Sequence, residues 1–310
     1  MLYVDTFRAG YHESEHRVWG CRVDPTGTVV DEISPGDAGR RIFLRSAAKP
    51  FQAAPAIAAG VLERFGLDDR HLAVAVGSHC GTEPHVTLVR EILAAAGLDD
   101  SAVTPGDDGQ GGPLQHQCSG NHALALAWCA AESWPTANYL DADHPVQLAM
   151  NAAVSAATGE AIGDGLDLAP DNCGMTSHRV TLRAMAVAYG RLASNWPGLA
   201  GLARVAHAMR SHPDLVRRRG EVDTELMCAD GSVVAKVGAE AAIGIGTRDG
   251  SGIAVRTGDG ALRTWSPAGV AVSDRWLGEG RRRSLDPLRR PPLFDAKGAV
   301  IGHAEARWSD

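Results

Sequence analysis

The distribution of strand-forming and helix-forming residues along this chain of 310 residues most constrains its fold. β-rich segments lie near both ends, at 17–33 and within 232–307, whereas the region between them has the apolar spacing of helices. Strands and helices therefore do not alternate as they would in a doubly wound parallel sheet. The pattern predicts an α+β protein in which N- and C-terminal strands form one antiparallel sheet and a helical block is inserted between them.

We expect a single domain over residues 1–310, with an α/β part at about 1–60 and 230–310 and a helical part at about 61–229. Asp24-Pro25-Thr26-Gly27 predicts the turn of a hairpin near the N-terminus. Gly244, Gly246 and Gly250 miss the spacing of a dinucleotide-binding loop, so we assign them to turns. Helices are predicted at 46–60, 83–97, 121–131, 145–159, 181–194 and 199–207.

Composition excludes several classes of partner. A net charge of −7 and a pI near 5.9 give no electrostatic reason to expect nucleic acid. No apolar run reaches membrane-spanning length, and the first residues lack the charged and apolar regions of a secretory signal. The six cysteines are too few for a disulfide framework in a chain of this length. We therefore expect a cytoplasmic protein that binds neither nucleic acid nor a membrane.

Lys49 follows Ser46 by three residues at the beginning of a predicted helix. Residues at this spacing share a face, so the lysine nitrogen, when deprotonated, could take the proton of the serine hydroxyl. Ser119-Gly120-Asn121 and Lys236-Val237-Gly238 follow in the chain order of the Ser-x-x-Lys, Ser-x-Asn and Lys-Thr-Gly motifs of penicillin-binding proteins and serine β-lactamases. Each short motif also occurs by chance, but together they favour acyl transfer at a Ser/Lys site.

Longer blocks carry a more specific resemblance. They are Arg45-Ser46-Ala47-Ala48-Lys49-Pro50-Phe51-Gln52, Ser78-His79-Cys80-Gly81, Cys118-Ser119-Gly120 with His122, Asp143-His144-Pro145-Val146-Gln147, and Ala235-Lys236-Val237-Gly238-Ala239-Glu240. In this order they resemble the thermolabile, Rhizobium-type L-asparaginase II family. The resemblance spans nearly the whole chain and fades after about residue 275.

The resemblance implies a serine β-lactamase and glutaminase-like fold, a homodimer, and hydrolysis of the side-chain amide of asparagine, a small amino acid. It implies two catalytic pairs, Ser46 with Lys49 and Ser78 with Lys236, and no required cofactor. In such a mechanism one serine attacks the amide carbon, and the second pair passes the proton to the leaving nitrogen.

The resemblance also implies substrate-binding and metal-binding residues. Arg45, His122 and Asp171 match residues that hold the charged groups of the substrate. Cys118 and Cys173 match two ligands of a zinc ion, whose third ligand is a lysine. Asn121 stands in the place of that lysine, beside the substrate, and an amide nitrogen cannot bind a metal. Zinc is therefore an open question, with water or His122 as alternative ligands.

Several alternatives stay open. Asp171 could pair with an arginine rather than with substrate, Cys118 and Cys173 could be buried thiols, and Ser78 and Ser119 could cap helices. Cys80 and the segment Asn172-Cys173-Gly174-Met175-Thr176 depart from the family pattern around the expected pocket. These departures favour a shifted specificity, such as a modified asparagine, a hydrazide or a peptide-like amide, cleaved by an amidase or transferred by an acyltransferase. A non-catalytic protein that binds an amino acid is the remaining alternative.

Overall fold

The computed structural model describes residues 1–106, 109, 111–161, 167–278 and 285–309. The described strands are β1 (Leu2–Arg8), β2 (Tyr11–Val23), β3 (Val29–Glu32), β4 (Arg41–Phe43), β5 (Leu168–Pro170), β6 (Thr176–Thr181), β7 (Val233–Gly238), β8 (Ala242–Thr247), β9 (Gly252–Thr257), β10 (Pro292–Phe294) and β11 (Val300–Trp308).

The main sheet has the strand order β10-β11-β1-β2-β9-β8-β7, and β3 pairs with β2. Its paired strands are antiparallel, and β1 meets β11 in a register that begins with Leu2 opposite Trp308. The predicted antiparallel sheet of N- and C-terminal strands is thus confirmed, as is the hairpin of β2 and β3. The predicted relation of this fold to serine β-lactamases and glutaminases stays a prediction. The short strands β4, β6 and β5 form a second sheet.

The described helices are α1 (Lys49–Ala58), α2 (Val61–Phe65), α3 (Asp69–Ala75), α4 (Glu83–Ala95), α5 (Ser119–Glu132), α6 (Pro145–Thr158), α7 (Leu182–Ala193), α8 (Leu202–Ser211), α9 (Pro213–Val216), α10 (Val222–Ala229), α11 (Trp265–Leu277) and α12 (Asp286–Arg289). Each predicted helix is present, although residues 45–48 form a 3-10 helix before α1 begins. In the described parts of the chain, no helix has the length and apolar character needed to cross a bilayer.

Helices α7 and α11 cover opposite faces of the main sheet. A Cβ added to Gly244 or Gly246 in β8 would lie about 2 Å from atoms of Tyr189 in α7. Ile243, which points to the other face because side chains alternate along a strand, contacts Gly269 in α11. Our assignment of Gly244 and Gly246 to turns is therefore wrong, since they lie within a strand and allow α7 to approach. Only Gly250, with a φ of +93°, lies in a turn.

The face of the sheet that α7 covers also positions the 3-10 helix that carries Ser46. Gly238 ends β7, and a Cβ there would lie 2.5 Å from the carbonyl oxygen of Leu44. Tyr189 donates a hydrogen bond of 2.8 Å to the carbonyl oxygen of Ala47. The first contact holds the 3-10 helix against β7, two residues from Lys236, and the second holds it to α7.

Candidate active site

A cavity of about 560 Å³ opens where the 3-10 helix, the end of β7 and several connecting segments meet. Its walls include predicted site residues from distant parts of the sequence, namely Arg45, Ser46, Ser78, Cys118, Asp171 and Cys173. His116 and Gln117, which directly precede Cys118, also line it, as do Arg217 and, on the chain after β7, Glu240, Leu262 and Trp265. A cavity of this size with converging polar groups is the expected form of a small-molecule site.

Ser78 and Lys236 form a direct hydrogen-bonded pair. Lys236 Nζ donates to Ser78 Oγ over 2.7 Å and to the carbonyl oxygen of Val237 over 2.8 Å. Burial lowers the pKa of Lys236 to about 7, although the carboxylate of Asp223, 4.0 Å away, acts in the opposite direction. A lysine with this pKa is partly neutral near pH 7, so it can exchange a proton with a serine hydroxyl.

Ser46 lies on the cavity wall and is more exposed than Ser78, which is 3% exposed. The predicted contact with Lys49 is not made: in the described structure Lys49 Nζ donates instead to the carbonyl oxygens of Gly77, at 2.7 Å, and Gln117, at 3.4 Å. Lys49 therefore joins the helix that follows Ser46 to the segment that precedes Ser78.

Arg45 and Asp171 form an ion pair on the wall of the cavity. Arg45 Nε donates to Asp171 Oδ1 over 2.6 Å, and the backbone N–H of Asn172 donates to the same oxygen. The backbone of Arg45 has a φ of +50°, an uncommon value for a residue with a side chain and one that is often found at functional sites. The alternative of an arginine partner for Asp171 is thus confirmed, and both side chains line the cavity.

The thiols of Cys118 and Cys173 are buried and contact each other. A hydrogen bond between them lowers the pKa of Cys118 and raises that of Cys173. Within the described residues, no group of three or more His, Cys, Asp or Glu side chains is arranged to hold a metal ion. The two thiols and the amide of Asn121 do not fit a four-coordinate zinc site, so we derive no catalytic step from zinc.

Asn121 and His122 lie in the first turn of α5, and neither is part of the cavity wall. Both are at most 1% exposed. His122 Nδ1 shares a hydrogen bond of 2.5 Å with the hydroxyl of Tyr139, and burial lowers the pKa of His122 to about 4. Asn121 Nδ2 and His122 Nε2 have no hydrogen-bond partner among the described residues. Their predicted contact with substrate stays a prediction.

Neither serine considered as a cap serves as one. Ser119 begins α5, but its hydroxyl donates to the carbonyl oxygen of Leu114 at 2.8 Å and accepts from His79 Nε2 at 2.9 Å. The backbone N–H of Gly81 donates to His79 Nδ1, which places the ring proton of His79 on Nε2. Ser78 lies before α4 and is bound by Lys236 instead.

Four residues of the cavity wall lie outside the motifs that predicted the site, namely Arg217, Trp265, His116 and Gln117. Arg217 lies in a run of three arginines and Trp265 begins an unpredicted helix, and neither belongs to a recognisable motif. His116 and Gln117 immediately precede Cys118, and this proximity was the one available signal.

Comparison with known proteins places this arrangement in a family. The sequence profile described as L-asparaginase II matches residues 4–306. The chain belongs to the L-asparaginase II family. This membership supports an amidohydrolase and confirms the family that the sequence blocks indicated. A comparison with curated proteins gives no significant match.

Solved structures with detectable similarity include two forms of a protein named Mglu. The native form is 17% identical, with a TM-score of 0.41, and the match covers 84% of this chain and 65% of that one. The L-glutamate binding form is also 17% identical, with a TM-score of 0.42, and the match covers 84% of this chain and 60% of that one. This chain therefore spans less than two thirds of the length of these two Mglu chains.

Proposed function

We propose that this member of the L-asparaginase II family hydrolyses the side-chain amide of L-asparagine or a close derivative through an acyl-enzyme. The observation that carries the proposal is the buried Ser78–Lys236 pair, with a 2.7 Å hydrogen bond and a lysine pKa near 7, beside a second serine on the same cavity wall. A homodimer, an amino-acid substrate and a cytoplasmic location stay predictions.

In the proposed mechanism Ser46 is the nucleophile, because it is the more exposed of the two serines that line the cavity. Its oxygen forms a bond to the side-chain carbonyl carbon of the substrate. Neutral Lys236, acting through the hydroxyl of Ser78, accepts the proton and delivers it to the leaving nitrogen. Water then attacks the ester carbon, Ser46 regains its proton, and aspartate leaves.

Three other residues support this chemistry. Arg45 presents a guanidinium to a carboxylate, and Asp171 presents a carboxylate to an ammonium group, so exchange of their ion pair would bind both charges of an amino acid. Lys49 holds the Gly77 carbonyl at 2.7 Å and thereby fixes the position of the neighbouring Ser78 relative to Ser46.

The test is ammonia release from L-asparagine, L-glutamine and N4-substituted asparagines by the purified protein. Ser46→Ala is expected to lower kcat by about a thousandfold or more, because removal of a nucleophile leaves only the binding contribution to catalysis. Ser211→Ala, on the exposed side of α8, is the matched control and should retain the wild-type rate.

Absence of turnover on every amide would contradict the amidohydrolase, and in that case retained binding of asparagine would favour the amino-acid-binding alternative. An unchanged rate in Ser46→Ala would remove Ser46 as the nucleophile.

A further inference from the structure

Arg217 and Trp265 form a wall between two cavities. Both residues line the cavity of about 560 Å³ that contains Ser46 and Ser78, and both also line a neighbouring cavity of about 180 Å³. The carbon at the centre of the Arg217 guanidinium lies 5.0 Å from the centre of the Trp265 ring, within the range of a cation–π contact. The Arg45–Asp171 pair borders only the larger cavity, so the Arg217–Trp265 wall marks a separate end of it.

Trp265 and Arg217 present N–H donors at this wall. Trp265 Nε1 has no hydrogen-bond acceptor among the described residues, and Arg217 Nε lies 3.0 Å from Glu221 Oε2 in an ion pair rather than in hydrogen-bond geometry. Buried donors of native proteins are nearly always satisfied, so the indole N–H of Trp265 needs an acceptor. The guanidinium of Arg217 has further N–H donors besides Nε, and its fork is suited to the two oxygens of a carboxylate.

The local charge favours the same kind of ligand. Arg217 forms an ion pair with Glu221 at 3.0 Å, but Arg218 Nε also donates to this carboxylate, at 3.3 Å. One carboxylate shared by two guanidinium groups leaves a positive charge beside the wall. Arg263 lines the smaller cavity as well and adds to it. The backbone carbonyl of Arg217 accepts a 3.0 Å hydrogen bond from His85 Nε2, which fixes the position of this residue.

The size of the cavity indicates where the anion lies on the substrate. Cavities of about 300–1,000 Å³ hold drug-sized ligands, and free asparagine is much smaller than these. If Arg45 and Asp171 take the α-carboxylate and α-ammonium, the space towards Arg217 faces the other end of the substrate, where the amide nitrogen leaves. Arg217 is also close enough to Lys236 for its charge to help lower the pKa of that lysine, which places it near the reacting groups.

We propose that Arg217 and Trp265 form a subsite for the carboxylate of a leaving amino acid, so that the preferred substrates are β-aspartyl dipeptides. This inference rests on the proposed function. In the reaction, the bond between the side-chain carbonyl carbon and the peptide nitrogen breaks as Ser46 Oγ bonds to that carbon. The proton of Ser46 goes to the leaving nitrogen, and water then cleaves the ester, giving aspartate and a free amino acid.

The test compares kcat/KM for β-aspartyl-glycine with that for β-aspartyl-glycinamide, which differ only in the terminal carboxylate. Wild type should prefer the acid by about ten- to a hundredfold, the usual range for a hydrogen bond to a charged group. Arg217→Gln should reduce this ratio to near one, and Arg217→Lys, which keeps the charge, should restore part of it. Arg218→Gln, which removes a guanidinium from the same Glu221 but lies outside the cavity wall, should keep the wild-type ratio. The unfolding midpoint of each variant verifies that it is folded.

The outcomes separate the two proposals. Equal kcat/KM values for the two dipeptides in wild type, or a preference that survives in folded Arg217→Gln, would overturn the subsite and leave the amidohydrolase intact. If no amide is hydrolysed, the amidohydrolase fails, and calorimetric titration then decides the subsite. Tighter binding of the acid that depends on Arg217 would support it, and equal dissociation constants would overturn it.

Discussion

At the scale of single residues, the environment of Lys236 decides what the site can do. Its side chain is fully buried, and burial opposes a positive charge more strongly than Asp223 favours one. Asp223 is itself occupied, because its carboxylate accepts hydrogen bonds from the backbone N–H groups of Thr224, at 3.1 Å, and Val237, at 3.2 Å. The result is a lysine that can act as a base near neutral pH, in contact with a serine.

This environment predicts a pH dependence of the rate. Lys236 acts as a base only when neutral, so kcat/KM should rise with pH through about 7 and fall below it as the lysine becomes protonated. Asp223→Asn removes the charge that raises this pKa, so the rise should move to lower pH. Glu225→Gln, which removes a carboxylate bound to Arg219 outside the cavity wall, should leave the profile in place. Measuring kcat/KM between pH 5 and 9 tests this pH dependence. A flat profile in wild type, or a profile that moves to higher pH in Asp223→Asn, would contradict the role of Lys236 as the base.

The catalytic side chains of the proposed site could be predicted from the sequence, but their hydrogen-bond partners were harder to predict. Ser46 and Lys236 could be selected from short motifs and Ser78 from the family resemblance, and the cavity wall includes both serines with Lys236 bound to one of them. The hydrogen-bond partners of Lys49 could not be predicted, and the expected contact with Ser46 is not made. Spacing fixes only the face of a helix on which a side chain lies, whereas a buried ammonium takes the acceptors that other segments offer, here two backbone carbonyls.

At the scale of elements, the contact between α7 and the sheet explains both a failure of prediction and the position of the site. Strand β8 alternates isoleucine with glycine, and glycine has a low preference for strands, so its pattern did not predict a strand.

Two helices were also not predicted. Helix α3 was missed because His71 rather than Glu or Gln completes its capping box with Asp68. Helix α11 has a proline in its first turn, where proline is tolerated but obscures the helical pattern.

The tight approach of α7 predicts the effect of a single methyl group. A Cβ at Gly252 would lie 1.8 Å from the carbonyl oxygen of Ala186, so backbone would have to move. Gly252→Ala should therefore lower the free energy of unfolding by about 3 kcal/mol or more. Gly231→Ala is the matched control, since a Cβ there meets no atom of the described structure within 4 Å, and it should change stability by about 0.5 kcal/mol or less. Urea unfolding measures both, and equal stabilities would show that α7 does not pack as described.

At the scale of the whole molecule, the site exists only when distant segments meet. Its groups come from the 3-10 helix at 45–48, from Ser78, from 116–118, from 171–173, from Arg217, from the end of β7 and from Trp265. The arrangement of terminal strands around a helical block could be inferred from patterns, because these reflect local propensity and burial. The wall made by Arg217 and Trp265 could not, since it depends on how α11 lies against the segment after α9, which no local pattern records.

We expect this assembled site to form an ester between Ser46 and the acyl group of its substrate. The most direct measurement is acid quenching of the protein during turnover of L-asparagine, followed by peptide mass spectrometry. We predict an added aspartyl group on the peptide that contains Ser46, absent in Ser46→Ala. An aspartyl group on Ser78 or any other residue would contradict the claim, as would ammonia release that continues unchanged in Ser46→Ala.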